Sequence, residues 1–195
     1  MGAMSNVQTH SASAGANFAR PQNNIRALGL QHNARVADFG AGSGAYVFGV
    51  AEVLEGSGKV YAIDIQRDLL RRIANEATRR GYKNVEIIWA DLEAPRASKL
   101  ADASIDTVLI SNLLFQVPDK LLVLKEARRI VKPAGSVVVI DWTDSFKGMG
   151  PAKEDVFNKE AMLELAPKAD LELRKEFEAG AHHYGCIFIP MPTTS

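Results

Sequence analysis

The chain has a single cysteine, Cys186, in 195 residues. A disulfide framework and a CxxC metal site are therefore excluded, and Cys186, set inside an apolar run, reads as an inert buried thiol. There is no excess of charge of either sign: 23 Lys and Arg balance 23 Asp and Glu, so no global field steers the chain to nucleic acid or to an anionic membrane. No apolar run reaches the length of about 18 residues needed to cross a bilayer. The opening segment MGAMSNVQTHSASAGANFAR lacks the apolar stretch of a secretory signal. The expectation is a soluble cytoplasmic protein with no membrane partner and no metal. Basic pairs do occur, at Arg71 and Arg72, Arg79 and Arg80, and Arg128 and Arg129. They fall among acids such as Glu76 and Glu126, and without interleaved aromatics they read as solvated helix faces rather than a nucleic-acid surface.

What is present is enough apolar material, 47% of the residues, for one sizeable core. Residues 1–17 are rich in Ser, Ala, Asn and Gln and have little to bury, so they are expected to form a flexible segment. Residues 18–195 are expected to form a single domain. FARPQNNIRALGLQ reads as a short amphipathic helix. From Arg35 onward the period changes, and β-rich apolar runs alternate with helical patterns. The runs are RVADF, KVYAID, NVEIIWA, IDTVLIS and GSVVVIDW; helices are expected near 43–54, 67–81 and 119–131. Strands that are almost continuously apolar belong to a parallel sheet covered on both faces. KEDVFNKEAMLELA then reads as one helix, and LELRKEFEA and HHYGCIFIP as two strands around Gly180. So short a connection only permits a hairpin, because a parallel return needs a crossover of about a dozen residues or more. The fold class is α/β: a doubly wound, mainly parallel sheet ending in an antiparallel hairpin, with helices on both faces.

In such a sheet a ligand lies beyond the carboxyl ends of the strands, where the first βα turn sits. Here that turn is VADFGAGSGAY, with Gly40, Gly42 and Gly44 after a run carrying Asp38. Asp64 ends the next strand, 20 residues after Gly44, and a carboxylate there suits the two hydroxyls of a ribose. The turn itself admits two readings. GxGxxA is a dinucleotide fingerprint and would make the chain an NAD-binding oxidoreductase; GxGxG points elsewhere.

Later segments separate the two. GxGxG after an acid-bearing apolar run, Asp91 in WADLEAP, the fourth run IDTVLISNLLFQV and LKEARRIVKPAGSVVVIDW together resemble the class I S-adenosylmethionine-dependent methyltransferases. The resemblance spans about 35–141 closely and the tail by topology. Val131 and Ala134 depart from the usual LKPGG wording, within a turn. It implies a seven-stranded Rossmann-like sheet and S-adenosyl-L-methionine as cofactor, leaving S-adenosyl-L-homocysteine as product. It also implies a cofactor site made of Asp38, Gly40, Ala41, Gly42, Gly44, Asp64, Ile65, Asp91, Leu92, Ser111 and Asn112. In that site Asp38 lies near the amino end, Asp64 on the ribose, Ile65, Asp91 and Leu92 on the adenine, and Ser111 and Asn112 beside the methionine portion.

A sulfonium carries an already activated methyl group, so in-line transfer asks chiefly for alignment and exclusion of water, with a base only where the acceptor must lose a proton. Asn112, Asp141 and His183 are the catalytic candidates, with Trp142, His182 and Tyr184 as further substrate-facing positions. His182 and His183 are adjacent on a strand, so alternation lets at most one of them face a pocket. The loop from Asp144 to Asp155 carries Gly148, Gly150 and Pro151 and reads as a wall or lid over the site. With no separate substrate domain, the expected acceptor is a small molecule. The lack of clustered cysteines argues against thiol-dependent arsenite chemistry. A protein or RNA methyltransferase and a non-catalytic S-adenosylmethionine-binding domain remain the alternatives.

Overall fold

The computed structural model describes residues 21–146 and 150–192; the expected flexible segment 1–17 lies outside them. Five helices carry most of the helical content: α1 (Pro21–Ala27), α2 (Ala45–Val53), α3 (Arg67–Arg79), α4 (Lys120–Ile130) and α5 (Lys159–Leu165). They alternate with β1 (Arg35–Phe39), β2 (Lys59–Asp64), β3 (Val85–Trp89), β4 (Ile105–Ser111) and β5 (Val131–Trp142), and β6 (Leu171–Gly180) and β7 (His183–Pro190) close the chain. The strands form one seven-stranded sheet in the order β3-β2-β1-β4-β5-β7-β6. All neighbours pair in parallel except β7, which runs antiparallel to both β5 and β6. The order reverses between β1 and β4, and the switch point falls at the end of β1.

Alternation along the strands sorts the core into two layers. Ala37, Phe39, Ile63, Val108, Ile110, Val137 and Val139 pack with Val123, Leu124 and Ala127 of α4 and Met162 of α5. Val36, Val60, Ala62, Leu109, Val138 and Ile140 pack with Val47 and Val50 of α2, Leu70 and Ile73 of α3, and Ile25 of α1. Burying one such side chain contributes roughly 1.5–3 kcal/mol. α1 is only seven residues long, too short to be stable alone. Ile25 anchors it against Gly49 of α2, where a Cβ would stand 2.5 Å from the Ile25 Cδ1. Asn24 fixes it further, donating to the Tyr46 hydroxyl at 2.9 Å and to the Ala179 carbonyl at 3.0 Å.

One expectation needs correction. KEDVFNKEAMLELA is not a single helix but a 3-10 turn at Lys153–Asp155, then an extended link, then α5. Asn158 starts α5 by accepting from the Ala161 N–H at 3.0 Å. The break turns Phe157 in against the α4 layer, which a continuous helix would not do. No helix among the described residues is long and apolar enough to cross a membrane.

Candidate functional site

The turn after β1 is shaped by backbone bonds to β2. The N–H groups of Gly40 and Ala41 donate to the Ile63 carbonyl at 2.9 and 3.0 Å, and the Gly44 N–H donates to Ala41 at 2.8 Å. Gly44 has φ 85° and precedes α2. A Cβ there would lie 2.8 Å from the Phe48 ring and 3.0 Å from Ile73, so a side chain is excluded by both conformation and space. Asp64, at the end of β2, locks the turn. One carboxylate oxygen accepts from the Gly42 N–H at 2.9 Å and the other from the Gln66 N–H at 2.8 Å. Each oxygen keeps a second lone pair, which leaves capacity for a pair of ligand hydroxyls.

Two cavities meet at this turn. The smaller, about 280 Å³, is lined by Asp64, Ile65, Asp91 and Leu92. The larger, about 620 Å³, is lined by Asp38, Ala41, Tyr46, Ser111, Trp142 and His183. Gly40, Gly42, Asn112 and Gln116 line both. Ile65 is 56% exposed at the mouth of the smaller cavity, an unusual position for an isoleucine and a ready apolar face for a flat ring. Trp89 donates to its carbonyl at 2.9 Å, and Arg67 stacks on that indole at 3.8 Å. Asp91 is exposed and accepts the Glu93 N–H at 3.0 Å.

The electrostatics of the larger cavity are set by burial. Asp38 is buried, and among the described residues no donor reaches its carboxyl group. Loss of hydration, with a smaller contribution from the Asp64 charge, pushes its pKa up to about 8. A cationic group beside it would reverse that shift. Across the cavity, the His183 Nε2 lies 3.0 Å from the Asn112 Oδ1 and its Nδ1 lies 3.0 Å from the Ala181 carbonyl. Asn112 holds φ 52°, a costly backbone state for a residue with a side chain, which marks it as a position fixed by its surroundings.

The expected residues divide cleanly. Asp38, Gly40, Ala41, Gly42, Asp64, Ile65, Asp91, Leu92, Ser111, Asn112, Trp142 and His183 line one cavity or the other. Gly44 lines neither and acts through packing. Asp141 also lines neither. It is fully buried and accepts from the N–H groups of Leu114 at 3.0 Å and Trp142 at 2.9 Å, holding the turn that carries Asn112. Burial pushes its pKa up to about 7. His182 turns away to Asp144 at 2.7 Å and stacks on Phe146, leaving His183 as the histidine of the cavity, as strand alternation requires. Tyr184 is buried in the α4 layer. Cys186 is buried, its thiol pushed up to about 11. Of the loop over the site, residues 147–149 lie outside the described residues, while Gly150 lines the larger cavity against the Trp142 ring. Tyr46 and Gln116 line the site without having been singled out in the sequence. Gln116 lies four residues after Asn112 and donates to its carbonyl, a spacing visible in the sequence but without a motif to flag it.

A switch-point site split in this way, under a sheet with its last strand inserted antiparallel, defines the class I methyltransferase fold. The chain belongs to the methyltransferase domain family, whose profile matches residues 30–182; the dinucleotide reading of the glycine turn gives way to it. The chain is 31% identical over 118 residues to a demethylmenaquinone methyltransferase of Bacillus velezensis, covering 60% of this chain and 49% of that one. It is 35% identical over 118 residues to an arsenite methyltransferase of Aquipseudomonas alcaligenes, covering 57% and 34%. The chain thus spans about half the length, or less, of these curated relatives. Among solved structures, a SAM dependent methyltransferase from Aquifex aeolicus superimposes with a TM-score of 0.80 at 24% identity, covering 88% of this chain and 90% of that one.

Proposed function

We propose that the chain binds S-adenosylmethionine across the two cavities and transfers its methyl group to a small-molecule acceptor in the larger one. The observation that carries this reading is the junction at Gly40, Gly42 and Asn112, with Asp64 on one side and the donor-free Asp38 on the other. Asp64 would hold the ribose hydroxyls, and Ile65, Asp91 and Leu92 the adenine. Asp38 would hold the amino group, and Ala41, Ser111 and Asn112 would line the methionine portion. When bound, the cofactor supplies a methyl group activated on a sulfonium. The protein's part is to align the acceptor with it and keep water away. Pro21, Trp142 and Gly150 wall the larger cavity, and its volume of about 620 Å³ suits a small molecule.

Thiol-dependent arsenite chemistry does not fit, because the one cysteine is buried away from both cavities. Calorimetric titration with S-adenosylmethionine, S-adenosylhomocysteine and NAD tests the reading directly. Binding of the first two and not of NAD is expected; binding of NAD alone would overturn it.

A further inference from the structure

His183 opens the antiparallel strand β7 at the ligand end of the sheet, paired in register with Trp142. Its ring lies against the Trp142 indole with centroids 4.3 Å apart, so its orientation is fixed by packing. The Ala181 carbonyl facing Nδ1 can only accept, so Nδ1 carries a hydrogen. In the neutral ring the lone pair is then on Nε2, which faces the larger cavity and the Asn112 side chain. The Asn112 amide is able to serve both states of that ring: its oxygen accepts from an imidazolium, and after a half-turn its NH2 donates to a neutral imidazole. For Nε2 to meet an acceptor, the Asn112 side chain, which lines both cavities, must yield its place.

The larger cavity also limits what that acceptor is. Among the described residues lining it there is no lysine or arginine. Its walls include the rings of Tyr46 and Trp142. We infer that His183 is the general base of the proposed methyl transfer, and that the acceptor is an aromatic compound carrying a hydroxyl group.

This rests on the cofactor reading above. The acceptor oxygen forms its bond to the methyl carbon as the carbon–sulfur bond breaks, and the electron pair of that bond stays on sulfur. The hydroxyl proton passes to Nε2. The positive charge lost at sulfur reappears on the imidazolium, and the net charge of the site is unchanged. Asn112 then turns its oxygen to the new N–H. Burial lowers the pKa of the ring below the ordinary histidine range, which keeps it neutral and ready to accept. Among the described residues the ionisable groups around it are His182, which adds to that lowering, Asp144, which opposes it, Asp38 and Tyr46 across the larger cavity, and Glu178 across a further cavity that the residue also lines.

The test combines two phenols with His183→Gln. Without any methyl donor, adding 2-naphthol to protein labelled with nitrogen-15 histidine should shift the resonance of one unprotonated imidazole nitrogen, and that signal should be missing from His183→Gln. With S-adenosylmethionine, transfer to 2-naphthol should fall about 100-fold in the variant. Transfer to 4-nitrophenol, which ionises readily by itself in neutral water, should fall far less. The wild-type rate on 2-naphthol should climb with pH and level off once the imidazole is neutral, whereas the variant should keep climbing toward ionisation of the phenol itself. Unchanged S-adenosylhomocysteine binding certifies the variant's fold; where that fails, the resonance of the wild type decides. Equal losses on both phenols, an unmoved resonance, or no transfer to either phenol by a protein that binds S-adenosylmethionine would each overturn the inference. Failure of the wild type to bind S-adenosylmethionine would instead remove the cofactor reading.

Discussion

The two cavities that meet at Asn112 are built in opposite ways. The smaller one draws on the turns after three strands that follow one another in the sequence, with its residues within 40–66 and 90–93, and on one further turn at 112–117. The larger one draws on residues from Pro21 to His183, brought together only when α1 docks on α2 and β7 inserts beside β5. Their carboxylates differ in the same sense. Asp64 is held by two backbone N–H groups of its own neighbourhood, while Asp38 is buried at the larger cavity with no donor from the described residues at its carboxyl group. One half is preformed by local chain geometry; the other is a product of topology.

The largest effect should come from removing the local anchor. Asp64→Ala should weaken S-adenosylmethionine binding by about 1.5–3 kcal/mol, since charge-assisted bonds to the ribose and to the Gly42 turn are lost together. Unchanged affinity in a folded variant, read by calorimetry, would break the contrast between the halves. Next in size, Asp141→Ala should cost about 2 kcal/mol of stability by orphaning the N–H groups of Leu114 and Trp142. Chemical denaturation would show it, and acceptor turnover should suffer more than cofactor affinity, because the turn holding Asn112 belongs to both halves but the walls at Trp142 to one.

A third effect is one of pH. Asp38 binds its proton more tightly folded, near 8, than in the unfolded chain, near 3.8, and Asp141, near 7, shifts the same way. Their contribution to stability is complete below the unfolded value and is lost as pH rises through the folded values. Melting temperature should therefore fall between about pH 5 and pH 8, and Asp38→Asn should flatten that slope. Ligand binding should release a proton in the same range if a cation settles beside Asp38, measurable as a dependence of the calorimetric heat on the buffer. Smallest of all, Ile65→Ala should reduce cofactor affinity by less than about 1 kcal/mol and leave stability unchanged, because its side chain is already in solvent.

The same division explains what could be read in the sequence. The succession of strands and helices along the chain, the glycine turn and the place of Asp64 at the end of β2 were legible because period, turn chemistry and spacing are local signals, and each is satisfied within a βα unit. Asp141 was not. It sits at the end of a strand like a ligand-facing residue, yet its carboxylate is taken by Leu114 and Trp142, a matter of which neighbour folds back on it. The continuous helical pattern from Lys153 to Ala166 misled for a related reason. Asn158 offers its side chain to the Ala161 N–H and Phe157 packs half-buried against the α4 layer, so tertiary packing overrides a permissive local pattern. Tyr46 and Gln116 carry no motif, and only the closed fold reveals them.

The inserted strand β7 bears on how such a protein diversifies. Six strands deliver their carboxyl ends to the side of the sheet that carries the glycine turn. β7 runs the other way and delivers its amino end, so the turn of the β6–β7 hairpin lies beside His183, at a cavity next to the larger one. Hairpin turns accept insertions, deletions and substitutions with little penalty to the strands they join. A chain of this fold can thereby vary residues 180–182, beside His183, while the turn at Gly40–Gly44 stays untouched.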